Sequence, residues 1–330
     1  MRHVRKALNA LAIAFAAFFA IAFALIYTDS PPPPAPGGGL DFSAVPQGGE
    51  LAAPDSYVAR DGSRLPLRAF QGPGPGAPLL ILLHGSGWFG QQFDALAPRL
   101  AEVADVLVPD LRGHGRKPAR RGDIDYIGQL EDDIADLIAA RAKPGQKVVL
   151  AGHSSGGGLV VRFAGGANGG MIDAAILLAP FLKYNAPTTR ANSGGWARPM
   201  TRRIIGLSML NAANIRTFNH LPVIRFNFPP SVLSGPLGAN ATIEYSYRLN
   251  TSLAPRSDYL ADVAALPQFL LIAGRDDEAF VAEGYQPLMS AVTDRGQYLL
   301  VDGVGHLGIV DAPETARAMA DFLRRLAPGP

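Results

Sequence analysis

Five consecutive apolar residues, Leu79-Leu80-Ile81-Leu82-Leu83, set between Pro78 and a His84-Gly85 pair, constrain the fold of this chain more than any other feature. A strand with no polar face has nothing to show to water, so it must be buried on both sides, the situation of parallel sheets covered by helices. The pattern recurs at residues 106–108, 147–151, 174–178, 268–272 and 298–301, each read as a strand. Residues 91–102, 127–140, 157–164 and 313–326 read as helices between or after them. In the second of these, Leu130, Ile134, Leu137 and Ile138 share one side while Glu131, Asp132, Asp133 and Asp136 take the other. Residues 58–70 form a hairpin pattern turning at Asp61-Gly62. Such alternation predicts an α/β fold with a mainly parallel sheet flanked by helices.

The alternation stops after Pro180 and resumes only at residue 268. The intervening stretch is richer in Asn, Pro and Arg and is read as a cap inserted after the sixth core strand. The expected core is then 57–181 plus 257–330, with the cap at 182–256. A cap in that position lies over the carboxyl ends of the strands, where such sheets bind ligands.

At the amino end, Arg2, Arg5 and Lys6 precede an uncharged apolar run over residues 10–27. That length overlaps the short end of the membrane-spanning range, about 17–25 residues, and exceeds a typical signal-peptide core. Residues 1–28 are therefore expected to be a membrane anchor, or a signal cleaved near Ala22-Phe23-Ala24, with the catalytic domain on the exported side, periplasmic or extracellular, or secreted after cleavage. The Pro- and Gly-rich residues 29–56 read as a linker that tethers the fold without joining it.

Composition narrows the chemistry. A formal net charge of +2, without a Lys/Arg run, points away from nucleic acid, and the absence of cysteine removes disulfides, thiolate metal sites and a Cys nucleophile. There is no His-Glu-x-x-His metal motif and no dinucleotide fingerprint. Residues 183–256 hold nine Lys/Arg against a single acid, Glu244; this is read as a solvated basic face, with attraction to an anionic headgroup as the functional alternative.

The strand at 147–151 runs into Gly152-His153-Ser154-Ser155-Gly156, and a helix follows. With 37 glycines in the chain the pentapeptide alone is a weak match, but its position between strand and helix suits a sharp turn that lifts Ser154 clear of the sheet. A serine hydroxyl needs a base within reach, the base needs an orienting acid, and the oxyanion needs N–H donors. Of six histidines only His306 follows the last strand, and Gly274-Arg275-Asp276-Asp277-Glu278 follows the strand at 268–272. The order Ser, Asp, His is thus available, with Asp276 and Asp277 both eligible as the acid.

These motifs, in order with His84-Gly85-Ser86-Gly87 and the segment 110–115, resemble the α/β-hydrolase superfamily over about residues 57–326. Within it the likeness is to the lysophospholipase, monoacylglycerol lipase and serine-aminopeptidase-like group. The resemblance selects Asp277 over Asp276, because the acid of that group commonly stands three residues after the loop glycine. It also implies an oxyanion hole from the amides of Ser86 and Ser155. The resemblance implies hydrolysis of a small-molecule ester or lipid without a metal or organic cofactor. The same triad acting on an amide or C–C bond, and a catalytically silent lipid-binding relative, are the alternatives. A single cap acid disfavours aminopeptidase chemistry, and Asp110 and His114 are expected to brace the loop after their strand.

Overall fold

The structure, a computed structural model, describes residues 2–34, 39–44 and 55–326. Helix α1 (Arg2–Tyr27) is followed by β1 (Asp55–Val58), β2 (Arg64–Phe70), β3 (Leu79–Leu83), α2 (Leu96–Leu100), β4 (Asp105–Pro109), α3 (Gln129–Arg141), β5 (Val148–His153), α4 (Ser155–Ala164) and β6 (Ala174–Leu178). The chain then leaves the sheet for β7 (Ala197–Pro199), α5 (Thr201–Ala212), β8 (Pro222–Phe226), α6 (Pro230–Ser234), β9 (Glu244–Ser246) and α7 (Tyr247–Leu253). It returns through α8 (Tyr259–Ala264) to β10 (Gln268–Gly274), α9 (Tyr285–Ser290), β11 (Gly296–Val301) and α10 (Pro313–Leu326).

Eight strands form one sheet in the order β1-β2-β4-β3-β5-β6-β10-β11. The β1–β2 and β2–β4 pairs are antiparallel; the remainder run parallel. Strand β5 lies between β3 and β6, with Ala151 paired to Leu82 on one side and Ile176 on the other. Every residue of β3, β5 and β6 is buried, as their apolar runs require, and in β5 the burial extends to His153. Truncating one of these leucines to alanine costs about 2–5 kcal/mol in comparable cores.

The helix expected over residues 91–102 is broken into a 3₁₀ turn, Gly90–Phe93, and the short α2. Pro98 accounts for the break: it has no N–H for the carbonyl of Asp94, so an α-helix can begin only just before it. Strands β5 and β10 run two residues beyond their expected ends and carry their loops directly to the sheet's carboxyl edge.

The segment between β6 and α8, where the cap was expected, includes a small antiparallel sheet ordered β7-β8-β9. Helix α1 docks on it. Ala22 and Ile26 are fully buried among Leu207, Leu210, Val223 and Tyr247. The approach is close at Gly206, where an added Cβ would lie 2.6 Å from the carbonyl oxygen of Ala22.

The expectation that residues 29–56 take no part in the fold needs correction where they are described. A helix ends with carbonyls that lack partners, and cations suit that end. Arg203 donates to the carbonyls of Ile26 at 3.0 Å and Asp29 at 2.9 Å, Arg202 to the Thr28 hydroxyl at 2.7 Å, and Arg198 to the carbonyl of Pro32 at 2.6 Å. Gly39 and Asp41 are also hydrogen-bonded to the fold. Residues 35–38 and 45–54 of the expected linker lie outside the described residues.

The nine cap cations are largely spent inside the molecule. Besides those three, Arg225 pairs with Glu244, Arg248 with Asp123, and Arg256 with Glu131 and Asp262. Lys183 and Arg190 donate to backbone carbonyls. Eight of the nine thus have protein partners, which argues against reading this stretch as a free basic face.

Candidate active site

Ser154 sits between β5 and α4 with φ 55° and ψ −119°, a conformation rare for a residue with a side chain. Two glycines permit it by allowing backbones to touch. A Cβ on Gly152 would lie 2.4 Å from backbone atoms of Gly156, and one on Gly156 would lie 2.3 Å from the carbonyl oxygen of Leu83. The Ser154 N–H donates to the carbonyl of Leu178 at 2.9 Å, which fixes the turn to β6. Strain of this kind persists only where the surroundings over-determine it.

The loops after β10 and β11 bring two side chains to this serine. His306 Nε2 is 3.0 Å from Ser154 Oγ, and His306 Nδ1 is 2.8 Å from Asp277 Oδ2. Both residues are buried, at 1% and 2% exposure. The other Asp277 oxygen accepts the N–H groups of Ala279 and Phe280, each at 2.7 Å. Burial pushes the Asp277 pKa up, but the His306 contact and these two N–H groups outweigh it and hold the carboxyl below its ordinary value. Asp276 is exposed and its N–H bonds to the Val304 carbonyl, so it does not reach His306 through the observed contacts.

Ser86 and Ser155, the expected oxyanion donors, lie on the loop after β3 and at the first turn of α4. Their hydroxyls are hydrogen-bonded at 2.9 Å, and both residues line a cleft with Ser154. The loop after β3 is tied down by Gln92, which the sequence did not single out, and through it by His153, the variable position of the serine pentapeptide. Gln92 Oε1 accepts the Gly85 N–H at 2.9 Å, and Gln92 Nε2 lies 2.6 Å from His153 Nδ1. His153 Nε2 in turn lies 2.9 Å from the carbonyl oxygen of His306. These partners assign the proton of His153 to Nε2, so the ring is neutral and relays from one loop to the other. Burial, with the adjacent His306 contributing, pushes His153 down to about 3.

His84 likewise ties two loops together: Nδ1 faces the Gly85 carbonyl at 2.9 Å and Nε2 accepts the Leu111 N–H at 3.0 Å. Asp110 accepts the Gly90 N–H at 2.9 Å and faces Arg68, while His114 Nε2 is 2.7 Å from the hydroxyl of Tyr245. Both brace loops, as their position after β4 suggests.

Glu278, beside Asp277, accepts the His306 N–H at 2.7 Å with one oxygen and the Asp41 N–H at 3.0 Å with the other. Leu40 and Phe42 thereby reach the cleft. Two chambers meet at Ser154. One is lined by Leu40, Phe42, Trp88, Phe228 and His306; the other by Phe181, Ile224, Phe226, Leu253 and Phe280. Ser86, Ser154 and Trp196 line both. Among the described residues no cluster of three or more His, Asp or Glu is arranged to hold a metal ion.

A mainly parallel sheet carrying a strained serine, a histidine and a carboxylate at its carboxyl edge defines the class, and residues 80–319 match the alpha/beta hydrolase family; the chain belongs to that family. An uncharacterized protein of Mycobacterium tuberculosis, Rv2715, is 33% identical over 97 residues, covering 29% of this chain and 27% of that protein, so the chain spans only about a quarter of this relative's length. Two solved structures share the fold. A soluble variant of the monoglyceride lipase of Saccharomyces cerevisiae superposes with a TM-score of 0.64 at 14% identity, over 84% of this chain and 96% of that one. A membrane phospholipase A, described as a bacterial virulence factor, superposes with a TM-score of 0.55 at 17% identity, over 98% of each chain.

Proposed function

We propose that this protein is a serine hydrolase of carboxylic esters, acting through an acyl-enzyme. The observation that carries this reading is the continuous line Asp277–His306–Ser154, with contacts of 2.8 and 3.0 Å. Ser154 Oγ attacks the acyl carbonyl while His306 Nε2 takes its proton, and Asp277 orients the imidazole and stabilises its charge. The N–H groups of Ser86 and Ser155 receive the oxyanion, each worth about 3–4 kcal/mol by analogy with other hydrolases. Collapse of the tetrahedral species breaks the ester C–O bond, and the proton on His306 passes to the departing alcohol. Water then attacks the acyl-enzyme by the same route in reverse. The monoglyceride lipase and the phospholipase A that share the fold support an ester substrate.

In this reading α1 is an uncleaved membrane anchor, with the hydrolase on the exported side. It is long and apolar enough to cross a bilayer, and its first half exposes Val4, Leu8, Leu11, Ile13 and Phe15. Cleavage near Ala24 would separate Ala22 from the cap residues it packs against, which favours retention of the helix.

Ser154→Ala is expected to abolish turnover of p-nitrophenyl esters and labelling by a fluorophosphonate while the protein stays folded. Unchanged turnover in that variant would overturn the assignment. A wild-type protein that refuses the probe would favour the silent lipid-binding alternative.

A further inference from the structure

The residues just before the hydrolase core supply part of the cleft wall. Gly39 donates its N–H to the Gly194 carbonyl at 3.0 Å, and Asp41 donates its N–H to Glu278 at 3.0 Å. Between and beyond these two anchors Leu40 and Phe42 point inward, and the Phe42 ring packs 5.6 Å from Trp196 and 5.4 Å from Phe228, centroid to centroid. The second oxygen of the same Glu278 carboxylate holds the His306 backbone at 2.7 Å. The segment is therefore docked on the very loop that carries the candidate base.

The two chambers differ in which of them His306 lines. It borders the chamber of Leu40 and Phe42 and not the one walled by Phe181, Ile224 and Phe280. A base that takes the serine proton must hand it to the leaving oxygen, so the alcohol has to depart on the side the imidazole faces. The acyl chain then takes the other chamber. Neither chamber is lined by a lysine or arginine among the described residues, and a buried anion without a cation or a set of donors is costly.

Resting on the reading of Ser154 as an acyl-enzyme nucleophile, we propose that the Gly39–Phe42 segment forms the wall of the alcohol chamber, and that Leu40 and Phe42 select esters of uncharged, apolar alcohols. The acyl selectivity lies with the cap residues instead. A stretch that begins as a connector to the membrane helix thus becomes a specificity element.

The test uses the full chain in detergent and two ester series. One holds the acyl group at octanoyl and enlarges the alcohol from methyl to benzyl to naphthylmethyl; the other holds methanol and lengthens the acyl chain. Phe42→Ala is expected to raise kcat/KM for the naphthylmethyl ester relative to the methyl ester by about tenfold, and Phe42→Trp to lower the same ratio. The relative preference among acyl lengths should hold in both variants. Should Phe42→Ala fail to fold, Phe42→Trp carries the comparison. An alcohol ratio that does not move, or a shift that falls on the acyl series instead, overturns the proposal. In the wild type, 1-octanoylglycerol should be preferred over its phosphorylated counterpart, octanoyl glycerophosphate, by at least about tenfold; equal turnover overturns the selection for uncharged alcohols. A Ser154→Ala variant that still turns over either series would instead sink the acyl-enzyme reading, whatever Phe42 does.

Discussion

His153 and His306 are joined by a hydrogen bond as well as by ring packing: the Nε2 of the first lies 2.9 Å from the backbone carbonyl of the second, while the other ring nitrogen meets Gln92 at 2.6 Å. Because Gln92 also holds the Gly85 N–H, one buried line runs from the loop after β3, through the turn at Ser154, to the loop of His306. In the proposed reading the residue between the glycine and the serine of the elbow is a positioning residue, acting on the base through the backbone. Networks of this kind rigidify when every member is satisfied.

His153→Phe keeps the bulk of the ring and removes both polar atoms, leaving the His306 carbonyl and the Gln92 amide unpaired. We expect a stability loss of about 1–3 kcal/mol. A displacement of the base by as little as an ångström costs on the order of a hundredfold in rate, so kcat should fall further than stability alone explains. Steady-state ester hydrolysis beside a urea melt checks both, and a variant with wild-type kcat would remove His153 from the positioning role.

Asp277 and Asp276 are adjacent in sequence and opposite in setting, one buried against His306 and the other exposed. Asp277→Asn is expected to lower kcat by roughly 10⁴-fold, the scale seen when a triad carboxylate is neutralised elsewhere. Asp276→Asn should stay within about twofold, as surface substitutions generally do. Reversed effects would hand the role to Asp276.

Stability should fall on mild acidification. Burial pushes His84 down to about 4 and His153 down to about 3, and it holds His114 well below its ordinary value too. In the unfolded chain each titrates near 6.5, so below that pH unfolding takes up protons that the folded state refuses. The stabilisation is complete above about pH 6.5 and declines towards the folded values, by up to about 1.4 kcal/mol per pH unit for each histidine. Asp277, lowered in the fold, contributes above about pH 3.9 and loses its share only below that. Asp110 and Asp133, raised by burial, act in the opposite sense nearer the ordinary carboxylate range. Urea midpoints between pH 7 and 5 isolate the histidine effect, and a flat profile there would contradict it.

The sequence by itself determined the sheet and the chain order of the site. Wholly apolar runs such as Leu79–Leu83 have only one place to go, and hydrophobic period is written locally, residue by residue. Gly152, Ser154 and Gly156 likewise announce a turn whose chirality and crowding are local matters. What the pattern could not contain is which distant groups converge. Choosing between Asp277 and Asp276 on geometry takes the path of one loop, since neighbours in sequence point to opposite sides of it. Gln92 carried no motif and His153 stood only at a variable position of one, because a relay between loops is a relation among three segments and not a property of any one. The amino-terminal stretch shows the difference most sharply. Its prolines and glycines read as a tether, since composition reports only what a segment can do alone. Only the tertiary structure, by setting the Glu278 carboxylate and the Trp196–Phe228 pair within reach of Asp41 and Phe42, decided that this stretch closes one side of the cleft.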